Sequence, residues 1–499
     1  MSEHLKSLAV IIGLAALVFT LVKQPACAIA TTASDFTRRR NLWFAITLTA
    51  FLAHNFWIYI IVAGALLLVM ARRETNKVAL FFSLLFAVPL FQAEISGLGV
   101  IKHFFAINHF RLLSLTILLP AFLALRKRAT TEASKPTRAD LILAAYLILS
   151  LMLQLNVDSF TNTLRFGFYT VLDVVLPYYV VSRSLKDMQS FREVLMSLMV
   201  AGMVLAAIGM FEFGRHWLLY SSLDDALGVS EGFGSYLERE GSLRALATTG
   251  QPIVLGYVMA VVLGFYLFLQ KSVPIRAVWL FGLGLLLAGL LAPLSRGPWL
   301  GAAVILLIFV ATGPRAFSRV FTIVLVGLLA LPILLATPFG EQIIDYLPFV
   351  GTVDEENVTY RQRLIEISLN IIQANPFFGS YDFLLYLEEL RQGQGIIDLV
   401  NSYLAIALAS GLVGLALFLG FFGVILINIH KAMRRLDMTD DRHLLGRVLL
   451  STIIGILVMI FTVSSISVIP LIYWTVGGLG IAYIRMANQL PPLQQEHPT

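Results

Sequence analysis

Arg296 stands in Leu291-Ala-Pro-Leu-Ser-Arg-Gly-Pro-Trp-Leu300, where two long apolar runs meet. A charge between two such runs is costly unless it is paired, hydrated or used. Ser295-Arg296-Gly297-Pro298 has the residue types of a tight turn, so the guanidinium is expected close to the start of the next helix. A guanidinium beside a helix N-terminus makes an anion site; the competing reading is a side chain that snorkels or binds a helix-end carbonyl. Arg244 lies in Arg244-Ala-Leu-Ala-Thr-Thr-Gly-Gln-Pro-Ile-Val-Leu-Gly256, just before another apolar run that starts near Pro252. Two planar forks next to helix starts match the oxygens of a diphosphate bidentately. For Arg244 the alternative is an ordinary surface ion pair. Arg361 and Arg363 supply further positive charge downstream.

The elements that must hold these residues are set by composition. Of 499 residues, 58% are hydrophobic and 13% charged, against about 45–50% and about 25% in soluble domains. Lipid can cover that apolar surface while helices satisfy their own backbone groups. The expected fold is therefore all-α, a polytopic transmembrane helical bundle of about 14 spans, from runs near 5–23 to 470–486. One of these runs is 78–94. A shorter run at 41–54, broken by His54-Asn55, reads as a half-helix or hairpin. The first run reads as a retained helix, with a signal-peptide core before Ala26-Cys27-Ala28 as the alternative.

Basic residues cluster at every second connection: Arg72-Arg73, Arg126-Lys127-Arg128, Arg183 with Lys186, Lys271 with Arg276, Arg315 with Arg319, and Lys431 to Arg435. The positive-inside rule makes these cytoplasmic. Arg38-Arg39-Arg40 fits only one of the two ways of counting 41–71. The net charge of +6 is spread between apolar runs, so no nucleic-acid surface is formed. The single cysteine, Cys27, excludes an intramolecular disulfide, and no Cys/His cluster has metal-ligand spacing.

Two outer segments are long enough to imply function, 215–250 and 340–400. In the second, Leu364/Ile367/Ile371 and Ile365/Leu369/Ile372 form a wide apolar arc, and a second helical pattern runs from Tyr381 to Arg391. This predicts a small helical extracytoplasmic cap. The expected organisation is N-terminal transmembrane helices over 1–243, a functional region over 244–430 that includes the outer loop 340–402, and C-terminal helices with a cytoplasmic tail over 431–499.

Arg244 to Gly256, Ser295-Arg296-Gly297, Asn375-Pro-Phe-Phe-Gly379 and Asn401-Ser-Tyr-Leu404 followed by Gly411-Leu-Val-Gly-Leu415 occur in one order on one side of the membrane. In this the chain resembles the O-antigen ligase and polymerase family. The resemblance implies a metal-independent membrane glycosyltransferase without a cofactor. It implies that Arg244 and Arg296 bind the diphosphate of an undecaprenyl-diphosphate-linked oligosaccharide in the bacterial cell inner membrane. Membrane lipid, a chain-length regulator and a flippase are the implied partners, and Asn401 is an implied substrate contact. Family ligases typically carry a histidine just before that Asn as candidate base, and Val400 stands there. Asp398 is the first substitute, with Asp382, Glu388 and Glu389 behind it, since a carboxylate in reach of a hydroxyl can take its proton. The departure favours a polymerase of O-antigen or exopolysaccharide over a ligase.

Arg165 to Val181 also resembles such polymerases, with Asp173 inside the span and Pro177-Tyr178-Tyr179 after it. An intramembrane acid normally pairs. Arg165 reaches it only if the helix bends, because the two are about 12 Å apart at helical rise. The rival class is a secondary transporter, to which buried acids such as Glu94, Asp173 and Glu212 are suited. No paired broken helices in matching halves support it.

Overall fold

The structure is a computed structural model that describes residues 2–97, 103–127, 135–229, 234, 237–239, 241–273, 275–335, 355–391 and 397–489. The expectations at Arg128, at 340–354 of the outer loop and in the tail beyond 489 lie outside the described residues. Helices dominate, joined by two short antiparallel hairpins, Gln92–Ser96 with His103–Asn108 and Glu238–Arg239 with Ser242–Leu243. Among the described residues ten helices are long and apolar enough to cross a membrane, and Arg276–Leu291, Arg296–Ala311 and Ala316–Val326 are shorter apolar helices. This is an all-α multi-pass membrane protein.

Two sequence expectations change. Residues 41–54 are no half-helix: the helix runs from Ala33 to Leu52, with the Thr32 side chain accepting from Asp35 N–H at its start. Residues 78–94 are no single span, since the helix Lys77–Leu84 stops and a strand begins at Gln92. Pro89 cannot donate to a helix and disfavours helical backbone at Val88. The non-helical stretch is buried and its carbonyls are caught by side chains. Leu84 O meets His109 Nε2 at 2.9 Å, while Thr248 Oγ1 donates to Phe86 O and Thr47 Oγ1 to Ala87 O, both at 3.2 Å. Irregular backbone at membrane depth persists only with such protein partners.

Contacts divide the chain into two units. The first comprises Met1–Lys135, Tyr169–Trp299 and Ser467–Thr499. Its centre is the buried helix Met188–Arg215, which packs on Glu3–Ile29, Lys77–Leu84, Pro252–Tyr266 and Arg276–Leu291. Glycines allow the close approach: Gly202 faces Val262, Gly209 faces Leu255 and Gly289 faces Ala206. At one end Glu74 pairs with Arg38 (2.9 Å) and Arg39 (2.7 Å), Glu193 pairs with Arg39, and Gln189 Nε2 donates to Ala30 O (2.7 Å). Arg38-Arg39-Arg40 therefore shares an end with Arg72-Arg73 and the Lys186 connection.

The second unit comprises Pro136–Phe168 and Leu300–Ile466. Arg138–Val157 lies along Ser402–Met433, which in turn packs on Asp441–Met459. The cap consists of the helix Glu355–Ala374 and the 3-10 helix Phe383–Leu390. Leu364, Phe383, Leu387, Leu390 and Leu408 form its core, with Ile367 and Ile371 against them. The expected arc is narrower than the sequence pattern suggests: Ile372 joins Leu364, Ile367 and Ile371 at that core, whereas Ile365 and Leu369 are exposed.

Candidate active site

The helix Arg276–Leu291 ends in Ala292-Pro293-Leu294-Ser295, and Arg296 opens the next helix. Leu294 has a φ of 49°, a left-handed conformation uncommon outside glycine. This conformation reverses the chain, while Trp299 Nε1 donates back to Leu290 O (2.9 Å). Pro298 sits in the first turn, where a missing N–H costs nothing. Gly256 lets its own helix close on this turn, since a Cβ there would lie 2.9 Å from Pro298 Cγ.

Arg244 is fastened to the same turn. Its Nε donates to Pro293 O (3.1 Å) and its Nη2 to Ser295 Oγ (3.0 Å), and the backbone adds Ala245 N–H to Ala292 O (3.3 Å). The structure thus joins Arg244 to the turn that launches Arg296. Burial, helped by the Arg239 charge, lowers the Arg244 guanidinium to about 10, so it stays charged at neutral pH. Sequence reading assigned nothing to Arg239, whose Nη1 donates to Leu294 O (3.0 Å).

The loop behind Arg244 is buried from Ala245 to Thr249. Two of its N–H groups are taken by Glu212, which is 1% exposed. Glu212 Oε2 accepts from Leu246 N–H (2.9 Å) and Ala247 N–H (2.8 Å), and Oε1 from Leu219 N–H (3.0 Å). An acid that sequence reading grouped with transporter-like residues is therefore the anchor of the Arg244 loop.

Asp173 finds its partner in Arg111, with Nη2 to Oδ2 at 3.0 Å. Arg111 also donates to Ala106 O (2.8 Å) and lies 3.6 Å from the Tyr169 ring centroid. Asp173 sits in the π-helical turn Val171–Val175, just before Pro177, and a matching π-turn, Ser114–Leu118, precedes Pro120. In both, the proline has no N–H for the preceding turn, and the wider turn absorbs the loss. Arg165 hydrogen-bonds Asn162, Nη1 to Oδ1 at 2.8 Å. Arg111 was detectable in principle as a lone cation at the start of an apolar run, which needs an acid as much as Asp173 needs a base.

In the second unit, Asp398 is exposed and held in place. Its Oδ1 accepts from Ser464 Oγ (2.6 Å) and Val400 N–H (3.1 Å), while the Tyr360 hydroxyl donates to Asp398 O (3.0 Å) and accepts from Asp398 N–H (3.1 Å). Asn401 caps the helix Ser402–Met433, its Oδ1 accepting from Tyr403 N–H (2.9 Å) and Leu404 N–H (3.2 Å). Arg361 and Arg363 are exposed on the cap helix. Glu388 pairs with Arg391 (2.6 Å) at the surface. Asp382 precedes the 3-10 helix, and Glu389 is exposed on it.

Two of the family-like motifs prove to hold the cap. Gly411 (φ 63°) breaks the helix Ser402–Met433, and the Asn375–Gly379 segment enters the break. Ser380 N–H donates to Leu408 O (2.8 Å) and Leu412 N–H to Pro376 O (2.8 Å). A Cβ on Gly379 would lie 2.3 Å from Leu408 O, and one on Gly411 2.2 Å from Phe377 O. Only glycine tolerates both the conformation and the approach.

The family model described as O-antigen ligase matches residues 281–419. Over that stretch, less than a third of its length, the chain is similar to the O-antigen ligase family. The resemblance found in its motifs thus holds, and ligase- or polymerase-type glycosyl transfer involving lipid-linked oligosaccharides comes with it. No curated protein matches the chain. Arg296, Arg361, Arg363, Asp398 and Asn401 fall inside the O-antigen ligase match, whereas Arg165, Asp173 and Arg244 precede it.

Proposed function

We propose that this protein polymerises O-antigen or exopolysaccharide repeat units at the outer face of a bacterial inner membrane. The observation that carries the reading is Arg244 fastened to the turn from which Arg296 starts its helix. In the reaction a sugar hydroxyl attacks the anomeric carbon of an undecaprenyl-diphosphate-linked glycan. The new C–O bond forms as the bond to the phosphate oxygen breaks, and the electron pair leaves on the diphosphate. Arg244, Arg296 and the N-terminus of the Arg296 helix stabilise that growing charge, so the transition state gains more than the ground state. Asp398 is the proposed base: Ser464 and Val400 N–H occupy Oδ1, and Oδ2 takes the hydroxyl proton. A single displacement inverts the anomeric configuration. Arg361, Arg363, the Asn401 amide, Arg165 and Asp173 are proposed to contact substrate, and the guanidiniums make the transferase metal-independent. A chain-length regulator and a flippase complete the proposed pathway.

The runner-up is an O-antigen ligase that transfers glycan to lipid A core, which the name of the matched family favours. Val400, where family ligases resemble one another in carrying a histidine, favours the polymerase. The two are separated by giving purified protein in proteoliposomes a lipid-linked repeat unit, with and without lipid A core and with chelator present. A ladder of longer lipid-linked glycans without the core acceptor supports the polymerase. Glycan appearing only on lipid A core contradicts it.

A further inference from the structure

The first unit also holds an apolar slot, remote from the Arg244 loop. The helices Glu3–Ile29 and Arg276–Leu291 both pack on Met188–Arg215, and a cavity of about 340 Å³ lies between them. Met196, Met199 and Met203 form its floor, with Leu21 on one wall and Val278 and Phe281 on the other. Its lining on the Arg276 helix stops at Leu285, so the slot begins at the end opposite the turn that leads to Arg296. Gly282 admits Tyr266 to one side: a Cβ there would lie 2.3 Å from the Tyr266 hydroxyl, which donates to Trp279 O (2.9 Å). The Tyr266 and Trp279 rings stack, and such amphipathic rings favour the headgroup level of a bilayer. Leu21, Val278 and Phe281 are exposed, so the slot opens sideways to lipid. Water avoids an apolar cavity, and a void forfeits the dispersion contacts of its lining. A hydrocarbon chain restores them, and the unbranched methionines adapt to it.

Charge at the mouth selects the lipid. Lys23 follows the lining residue Val22, Lys271 stands between Leu269 and Val273, and Arg276 precedes Ala277. Lys23 and Arg276 are exposed. The segments that frame the slot, 4–34 and 251–299, contain no Asp or Glu, and Glu193 on the floor helix pairs with Arg39. Basic pockets between membrane helices attract anionic headgroups. We infer that the slot binds an anionic phospholipid, with one acyl chain between the two helices and the phosphate at Lys23, Lys271 and Arg276. The site is separate from the proposed diphosphate clamp, because the two lie toward opposite ends of the Arg276 helix.

The test is native mass spectrometry of the full-length protein released from detergent micelles, with phosphatidylglycerol, phosphatidylcholine or decaprenol added and thermal unfolding of each variant recorded alongside. Wild type should retain phosphatidylglycerol in preference to phosphatidylcholine. Lys23→Gln and Arg276→Gln should each weaken phosphatidylglycerol binding about fivefold, the contribution of one basic residue beside anionic lipid, and leave phosphatidylcholine binding unchanged. Leu21→Trp and Val278→Trp fill the slot from its two exposed rims, away from the packed core, and should weaken both phospholipids. Equal binding of the two phospholipids by wild type would overturn the inference. So would unchanged phosphatidylglycerol binding in both folded tryptophan variants, which would put the lipid elsewhere. Displacement of phosphatidylglycerol by decaprenol would also overturn it, since the slot would then belong to a polyprenyl chain.

Discussion

Replacing Glu212 should break the site from behind, and the structure sets the size of the effect. The carboxylate is 1% exposed and is the acceptor for the N–H groups of Leu219, Leu246 and Ala247. Glu212→Ala leaves three buried donors unsatisfied, at about 1–3 kcal/mol each. The sum rivals the whole stability of many proteins, about 5–15 kcal/mol. Glu212→Gln can keep one oxygen against Leu246 and Ala247 while its amide nitrogen opposes Leu219, so one of the three bonds is lost. It should cost about 1–3 kcal/mol and leave the Arg244 loop in place. The assay is membrane abundance and thermal unfolding in detergent, with glycan elongation measured per folded molecule. Alanine should accumulate poorly. Glutamine should fold with reduced stability and keep most of its elongation per molecule. Wild-type stability for Glu212→Ala, or equal damage from both substitutions, would refute the anchoring role.

Two further outcomes are expected. Gly379→Ala and Gly411→Ala should each detach the cap, because the added Cβ meets backbone at 2.3 and 2.2 Å in a left-handed conformation; limited proteolysis should cut residues 375–391 faster in both, and unchanged protection would contradict the docking. Arg111→Ala and Asp173→Ala should cause similar losses of stability, and the double variant should lose less than their sum, because the partners share one bidentate contact; additive losses in thermal unfolding would show that the pair is not coupled.

Much of this architecture was legible in the sequence because a bilayer imposes a simple code: apolar length gives spans and basic residues give sides. The Leu364/Ile367/Ile371 stripe and the Arg244 and Arg296 positions were readable for the same local reason. The code failed at 78–94, where Pro89 overrides an apolar run and the loose carbonyls depend on Thr47, His109 and Thr248. It also failed for Asp173, whose partner lies 62 residues away, since helical spacing speaks only for neighbours. Gly379 and Gly411 were read as family signatures, yet their joint use in one docking contact is a long-range fact that neither segment encodes alone. The anchoring role of Glu212 and the contact of Arg239 with Leu294 O were missed because backbone acceptors and donors have no sequence signature.

The central claim is that Arg244 and Arg296 act together on a lipid diphosphate, and its most direct test is glycan elongation by Arg244→Ala, Arg244→Lys, Arg296→Ala and Arg296→Lys, with membrane levels of each protein matched. Each alanine should lose about 1.5–3 kcal/mol of transition-state stabilisation, roughly a tenfold to a hundredfold drop in rate. Lysine should rescue poorly, since it keeps the charge and loses the fork. Wild-type elongation by both alanine variants would contradict the account.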